Sequence, residues 1–99
     1  MPDTILRGNV PLFDLGAVVA TPGARDALCK HPKLLHRIVA RHAGGDWGEV
    51  EAQDRRANDR ALVSGERLLS AYTTPLGQTV WVITEADRSS TCVLLPNEY

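Results

Sequence analysis

Apolar and polar positions repeat at helical spacing from Thr21 to Gly65 and at strand spacing beyond it. The pattern opens on Leu15-Gly16-Ala17-Val18-Val19-Ala20, a short strand in which β-branched residues cluster just ahead of a helix start. Thr21-Pro22 is that start. Threonine caps the free amides of a first turn, and proline at the first helical position lacks an amide that would go unpaired there. A short helix over 22–30 follows, and His31-Pro32 repeats the device to begin a second helix over Pro32–Ala43. On that helix Leu34, Leu35, Ile38 and Val39 share one face, with Lys33, Arg37 and Arg41 on the other. Gly44-Gly45 stops it. Asp46-Trp47-Gly48 then turns the chain into a third helix over 49–63, with Val50, Ala57, Ala61 and Leu62 as inward candidates and Gly65 as its end.

Beyond Gly65 three runs read as strands: Leu68–Tyr72, Val80–Glu85 and Thr91–Leu95. Pro75-Leu76-Gly77-Gln78 and Ala86-Asp87-Arg88-Ser89-Ser90 are turn chemistry between them, so an antiparallel meander is the simplest arrangement. On the middle run Val80, Val82 and Thr84 point one way and Trp81, Ile83 and Glu85 the other. Both faces carry apolar bulk, which calls for cover on both: helices on one, the N-terminal arm or a second subunit on the other. The expected fold is a single α+β domain over 14–99, ordered β-α-α-α-β-β-β, behind an arm over 1–13 in which Pro2, Gly8 and Pro11 break any period.

Length adds that 99 residues hold one core and not two. A net charge of −1 gives no global attraction to a phosphate backbone, so charge does not favour nucleic acid as a partner and leaves it open only through a local basic patch. The asymmetry along the chain is mild: residues 1–48 carry six Lys/Arg against four Asp/Glu, and 49–99 carry five against eight, so any anionic contact belongs near the first helices. Cys29 and Cys92 fall in different elements among apolar neighbours and read as reduced, partly buried residues rather than a disulfide framework. With no leader pattern and no apolar run long enough for a membrane, the expected location is cytoplasmic and soluble.

The candidate chemistry centres on His42, which extends the inward face of the second helix at its C-terminal end, where the helix dipole favours an imidazolium. Histidine suits general acid/base work near neutrality; its structural alternative bonds the last helix carbonyls or Asp46. Asp46 and Trp47 supply a carboxylate to orient that imidazole and a ring to stack on, or else a helix cap and a core plug. Arg67, Ser70, Tyr72, Thr84, Arg88 and Thr91 are the polar residues of the sheet and its turns, with Ser70 and Tyr72 on one face. Guanidinium groups, hydroxyls and a histidine together suit metal-free phosphodiester cleavage; scattered, they are ordinary solvated sheet positions. Cys29, His31, His36 and His42 lack the close paired spacing of a metal site, and no phosphate loop or dinucleotide fingerprint occurs, so neither metal nor cofactor is expected.

The segments His42-x3-Asp46-Trp47-Gly48, Asn58-Asp59-x-Ala61-Leu62, Gly65-x-Arg67-Leu68-Leu69-Ser70-x-Tyr72, Trp81-Val82-Ile83-Thr84-Glu85-x-Asp87-Arg88 and Leu94-Leu95-Pro96-x-Glu98-Tyr99 together resemble a family of small bacterial proteins of unassigned function. Such proteins are carried on plasmids, integrative elements and gene cassettes. The resemblance covers residues 15–99, leaves Met1–Phe13 as an extension, and implies a mobile-element accessory protein without naming an activity. A weaker analogy is to the small metal-independent ribonuclease fold of bacterial toxins, whose element order fits and whose basic character does not.

Three readings follow. The leading one is a non-catalytic module that binds a protein partner or self-associates as a homodimer. The alternative is a small RNase-like enzyme with His42 as acid/base, Arg67 and Arg88 as phosphate donors, and Ser70, Tyr72 and Thr84 as positioning hydroxyls. The third is a small-ligand pocket walled by Trp47, Tyr72 and Trp81.

Overall fold

β1 (Ala17–Ala20) leads into α1 (Pro22–Leu28) and α2 (Pro32–Ala43), then α3 (Ala52–Ser64), β2 (Leu68–Thr73), β3 (Thr79–Thr84), β4 (Ser90–Leu94) and a last 3₁₀ turn, Pro96–Glu98. The computed structural model describes residues 11–99, so the first ten residues of the expected N-terminal arm lie outside the described residues. The α+β order is as the sequence predicts, and β2, β3 and β4 form the expected antiparallel meander. The sheet runs β1-β4-β3-β2, with β1 joined parallel to β4 in the register Ala17 to Ser90 through Ala20 to Val93.

Both proline starts hold. Thr21 Oγ1 accepts the Ala24 amide at 3.3 Å with Pro22 in the first turn, and Pro32 opens α2. Ala24 and Leu28 of α1 and Ile38 of α2 pack with Tyr72, Val80, Val82 and Val93, so α1 and α2 cover one face of the sheet. A second cluster joins Trp47, Val50 and Ala61 to Leu68 and Ala71, with α3 leaning on the β2 side.

The third helix begins later than its pattern suggests. Residues 47–49 run alongside β2, with the Glu49 amide donating to the Ala71 carbonyl at 2.7 Å and the Ala71 amide to the Trp47 carbonyl at 3.2 Å. Gly48 makes this approach with φ of 74°, and a Cβ there would stand 2.0 Å from the Ala71 oxygen. The helix cap therefore falls on Glu51 and not on Asp46. Ala57, an expected inward position, is exposed; its neighbour Asn58 is buried instead.

The two edges of the sheet differ. On the outer side of β2, residues 47–49 satisfy Ala71, and the Asn58 side chain takes both backbone groups of Leu69, donating to its carbonyl at 2.7 Å and accepting from its amide at 3.1 Å. On β1, the amides of Ala17 and Thr21 bond inward to Ser89 and Val93. Val18 and Ala20, of opposite parity, turn their amides and carbonyls outward, and nothing among the described residues pairs with them. Val18 and Val19 are 45% and 51% exposed on this open edge.

Candidate functional site

His42 enters the sheet face from the last turn of α2 and is fully buried, meeting edge-on the stacked rings of Phe13 at 5.3 Å and Trp47 at 5.8 Å. Its Nδ1 lies 2.6 Å from Ser70 Oγ on β2 and its Nε2 lies 2.8 Å from Thr84 Oγ1 on β3. Thr84 Oγ1 is in turn 2.7 Å from Thr91 Oγ1 on β4, which donates to the Leu15 carbonyl at 2.7 Å. Ser70, Thr84 and Thr91 are buried as well; Thr84 and Thr91 are register partners, and Ser70 lies on the same sheet face two residues along β2 from Leu68, the partner of Thr84.

The direction of every proton follows from the far end. The Leu15 carbonyl only accepts, so Thr91 donates to it and must accept from Thr84. Thr84 then accepts from His42 Nε2–H, which leaves Nδ1 to accept the Ser70 hydroxyl proton. The imidazole is held neutral as the Nε2–H tautomer. Burial, with the Arg88 charge adding to it, lowers its pKa to about 3. The helix-dipole expectation of an imidazolium is overturned because desolvation outweighs a terminal dipole inside a sealed site.

Asp46 does not orient this ring. Its carboxylate pairs with Arg41, at 2.7 Å to Nε and 3.3 Å to Nη2, and accepts the Gly48 amide at 3.2 Å. That pairing holds its pKa below the usual carboxylate range. Tyr72 lies buried next to this pair, its hydroxyl donating to the Asp46 carbonyl at 2.5 Å and its ring under the Arg41 guanidinium at 4.6 Å. Burial pushes the phenol pKa up. Trp47 is a buried ring whose indole donates to Asp59 Oδ1 at 3.0 Å.

Arg88 spends its guanidinium on backbone. It donates to the carbonyls of Glu66 at 2.7 Å, Glu85 at 3.1 Å, Ala86 at 3.4 Å and, at the end of α3, Ala61 at 3.1 Å. The same group sits 5.5 Å above the Phe13 ring, which touches His42. Arg67 stacks over Tyr99 at 5.5 Å, and Trp81 meets Tyr99 edge-on at 5.8 Å, on the side of the sheet facing away from His42.

Of the sequence candidates, the fold joins His42, Ser70 and Thr84 directly, sets Tyr72, Asp46 and Trp47 beside them, holds Arg88 at the margin, and puts Arg67 and Trp81 on the opposite face. Trp47, Tyr72 and Trp81 do not wall one cavity, since Trp81 is across the sheet from Tyr72. Asn58 and the Leu15 carbonyl were not among the candidates; a polar residue at helical spacing from the inward Ala61 was the available signal for Asn58.

The Ser70–His42 contact has the donor and acceptor order of a hydroxyl nucleophile and its base, yet both side chains are wholly out of solvent. Among the described residues no group of His, Cys, Asp or Glu is placed to hold a metal ion, and no helix is long and apolar enough to cross a membrane. Comparison with protein families, curated proteins and solved structures gives no match for this chain.

Proposed function

We propose that this chain is a non-catalytic interaction module that associates with a second copy of itself through the outer edge of β1. The observation that carries this reading is the inequality of the two sheet edges. An open edge is a row of unpaired donors and acceptors that attracts another strand unless charge, proline or a bulge blunts it. Ala17–Ala20 has none of these within it, and Val18 and Val19 are half-exposed there. The β2 edge is closed by residues 47–49 and Asn58, so edge-to-edge growth stops after one step. Antiparallel pairing of β1 with its own copy is isologous and closes at two.

A register centred on Val19 sets Val18 of one copy against Ala20 of the other, and these are the residues whose backbone groups face outward. The uncharged strand offers nothing to repel its copy. Next to it a shallow groove of about 270 Å³, lined by Ala20, Leu28, Cys29, Leu35, Pro32 and Arg25, extends the apolar surface available to a partner. No observation favours the RNase-like alternative: His42 is sealed and Arg88 is occupied by carbonyl groups. An accessory role on a mobile element remains part of the proposal and rests on the sequence resemblance.

Light scattering on the purified protein at about 100 µM tests the reading, a concentration suited to a small interface. A dimer mass that becomes a monomer mass in the Val18→Lys/Val19→Lys variant, with circular dichroism unchanged, is the expected result. A wild-type monomer at that concentration, or a dimer that the variant leaves intact, overturns it.

A further inference from the structure

The charges of this chain are sorted by layer. Residues 22–43, which form α1, α2 and the turn between them, carry five Lys/Arg against one Asp, while the rest of the chain carries six against eleven. Arg41 is committed to Asp46. Arg25, Lys30, Lys33 and Arg37 are exposed, and none has an ion-pair partner among the described residues. Lys33 and Arg37 stand one helical turn apart on the exposed side of α2, and Lys30 lies in the turn just ahead of that helix. A shallow groove of about 320 Å³, lined by His31, Lys33, Leu34, Arg37, Pro32 and Pro75, runs beside them.

Solvation alone does not call for this sorting. Like charges four residues apart weaken a helix by a few tenths of a kcal/mol, and α3 avoids the problem by mixing Asp54 and Asp59 among Arg55, Arg56 and Arg60. α2 has no acidic residue at all. A face that sets four cations outside ion pairs against a single acidic residue, Asp26, is the electrostatic footprint of a polyanion, whatever the net charge of the whole chain.

The proposed self-association bears on this face through its symmetry. Two strands paired antiparallel in one continuous sheet are related by a two-fold axis perpendicular to that sheet, an operation that keeps the same side uppermost. The α1–α2 layers of both copies therefore lie on one side, and their cationic clusters belong to a single face. We propose that this face binds the phosphodiester backbone of a nucleic acid, with duplex DNA as the first ligand to test. Pairing of the two clusters rests on the self-association reading; the chemistry of each cluster does not.

The test is fluorescence anisotropy with a labelled duplex DNA of about 30 base pairs and arbitrary sequence, and with a single-stranded RNA of the same length, between about 50 and 200 mM salt. Counterion release gives four phosphate contacts from one copy a loss on the order of 100-fold in affinity across that range, and two copies engaged together on the order of 10⁴-fold. The expected result is duplex binding with the steeper loss, weakened at least tenfold by Lys33→Glu/Arg37→Glu and changed less than twofold by Arg56→Glu/Arg60→Glu on exposed α3 positions. Tighter binding to RNA, with the same variant pattern, identifies that polymer as the ligand of the same face. Failure to bind either polymer, or equal weakening by the two variants, overturns the inference. A dimer that does not bind overturns the face and leaves self-association standing; a monomer that binds with the shallower loss overturns self-association and leaves the face.

Discussion

Asn58 and Leu69 exchange two hydrogen bonds, the carboxamide donating to the Leu69 carbonyl at 2.7 Å and accepting its amide at 3.1 Å, so a helix side chain does for β2 what a neighbouring strand would do. Asn58 is the only residue type besides Gln that carries both groups in the same orientation as a peptide. Its place on α3 ties that helix to the sheet edge and completes the closure begun by residues 47–49.

Asn58→Ala strips both partners from a backbone unit that lies under the helix. The expected cost is about 1–3 kcal/mol in urea unfolding, and the newly open edge should carry association past the dimer in light scattering. An unchanged unfolding midpoint would show that the edge is satisfied some other way.

The buried relay can be cut at either of two hydroxyls. Thr84→Val removes the acceptor of His42 Nε2–H and the donor to Thr91, and Thr91→Val removes the acceptor of the Thr84 hydroxyl and the donor to the Leu15 carbonyl. Each strips partners from two groups and should cost about 1–3 kcal/mol, read by chemical denaturation. A cost near zero for either would show that the hydroxyl chain does not hold the folded state.

His42 also dictates a pH dependence. Its folded pKa, about 3, lies below the ordinary value of 6.5, so the unfolded chain binds the extra proton first. The stability it contributes is present above pH 6.5 and is lost as pH falls towards 3, on the order of 5 kcal/mol in all. Asp46, Asp87 and Glu98, whose pKa values are also lowered, add loss of the same sign at the acid end. Unfolding free energies measured from pH 7 to 4 should slope downward in the wild type and run flatter in His42→Gln. Parallel slopes would remove His42 from the account.

Arg88 should tolerate lysine poorly. It sits at φ of 61° and spreads its planar fork over carbonyls from α3, from the stretch before β2 and from its own turn. An ammonium group cannot span them. Arg88→Lys should lower stability by about 1–3 kcal/mol in thermal or chemical unfolding, and a neutral substitution would show that these bonds are dispensable.

How far the sequence carries can be seen in particular residues. The limits of α2 were legible because Pro32, the Leu34–Val39 face and Gly44 are local signals that agree. The start of α3 was not, because Gly48 and Glu49 are drawn off to Ala71, a residue more than twenty positions away whose pairing no local pattern announces. A far longer separation along the chain hid the parallel union of β1 with β4. His42 was visible as an inward residue, and Ser70 and Tyr72 as neighbours on one strand face. Its neutral state was not visible, since that depends on burial and on a hydroxyl chain ending at Leu15.

In the proposed self-association the outer groups of β1, which no other described residue pairs, meet those of a second copy. Amide hydrogen exchange of Val18 and Ala20, followed by NMR from about 10 µM to 1 mM protein, reads those groups directly. Exchange of both amides that slows as concentration rises, while Gly77 in the β2–β3 turn stays constant, is the predicted result. Fast exchange at both positions, independent of concentration, would contradict it.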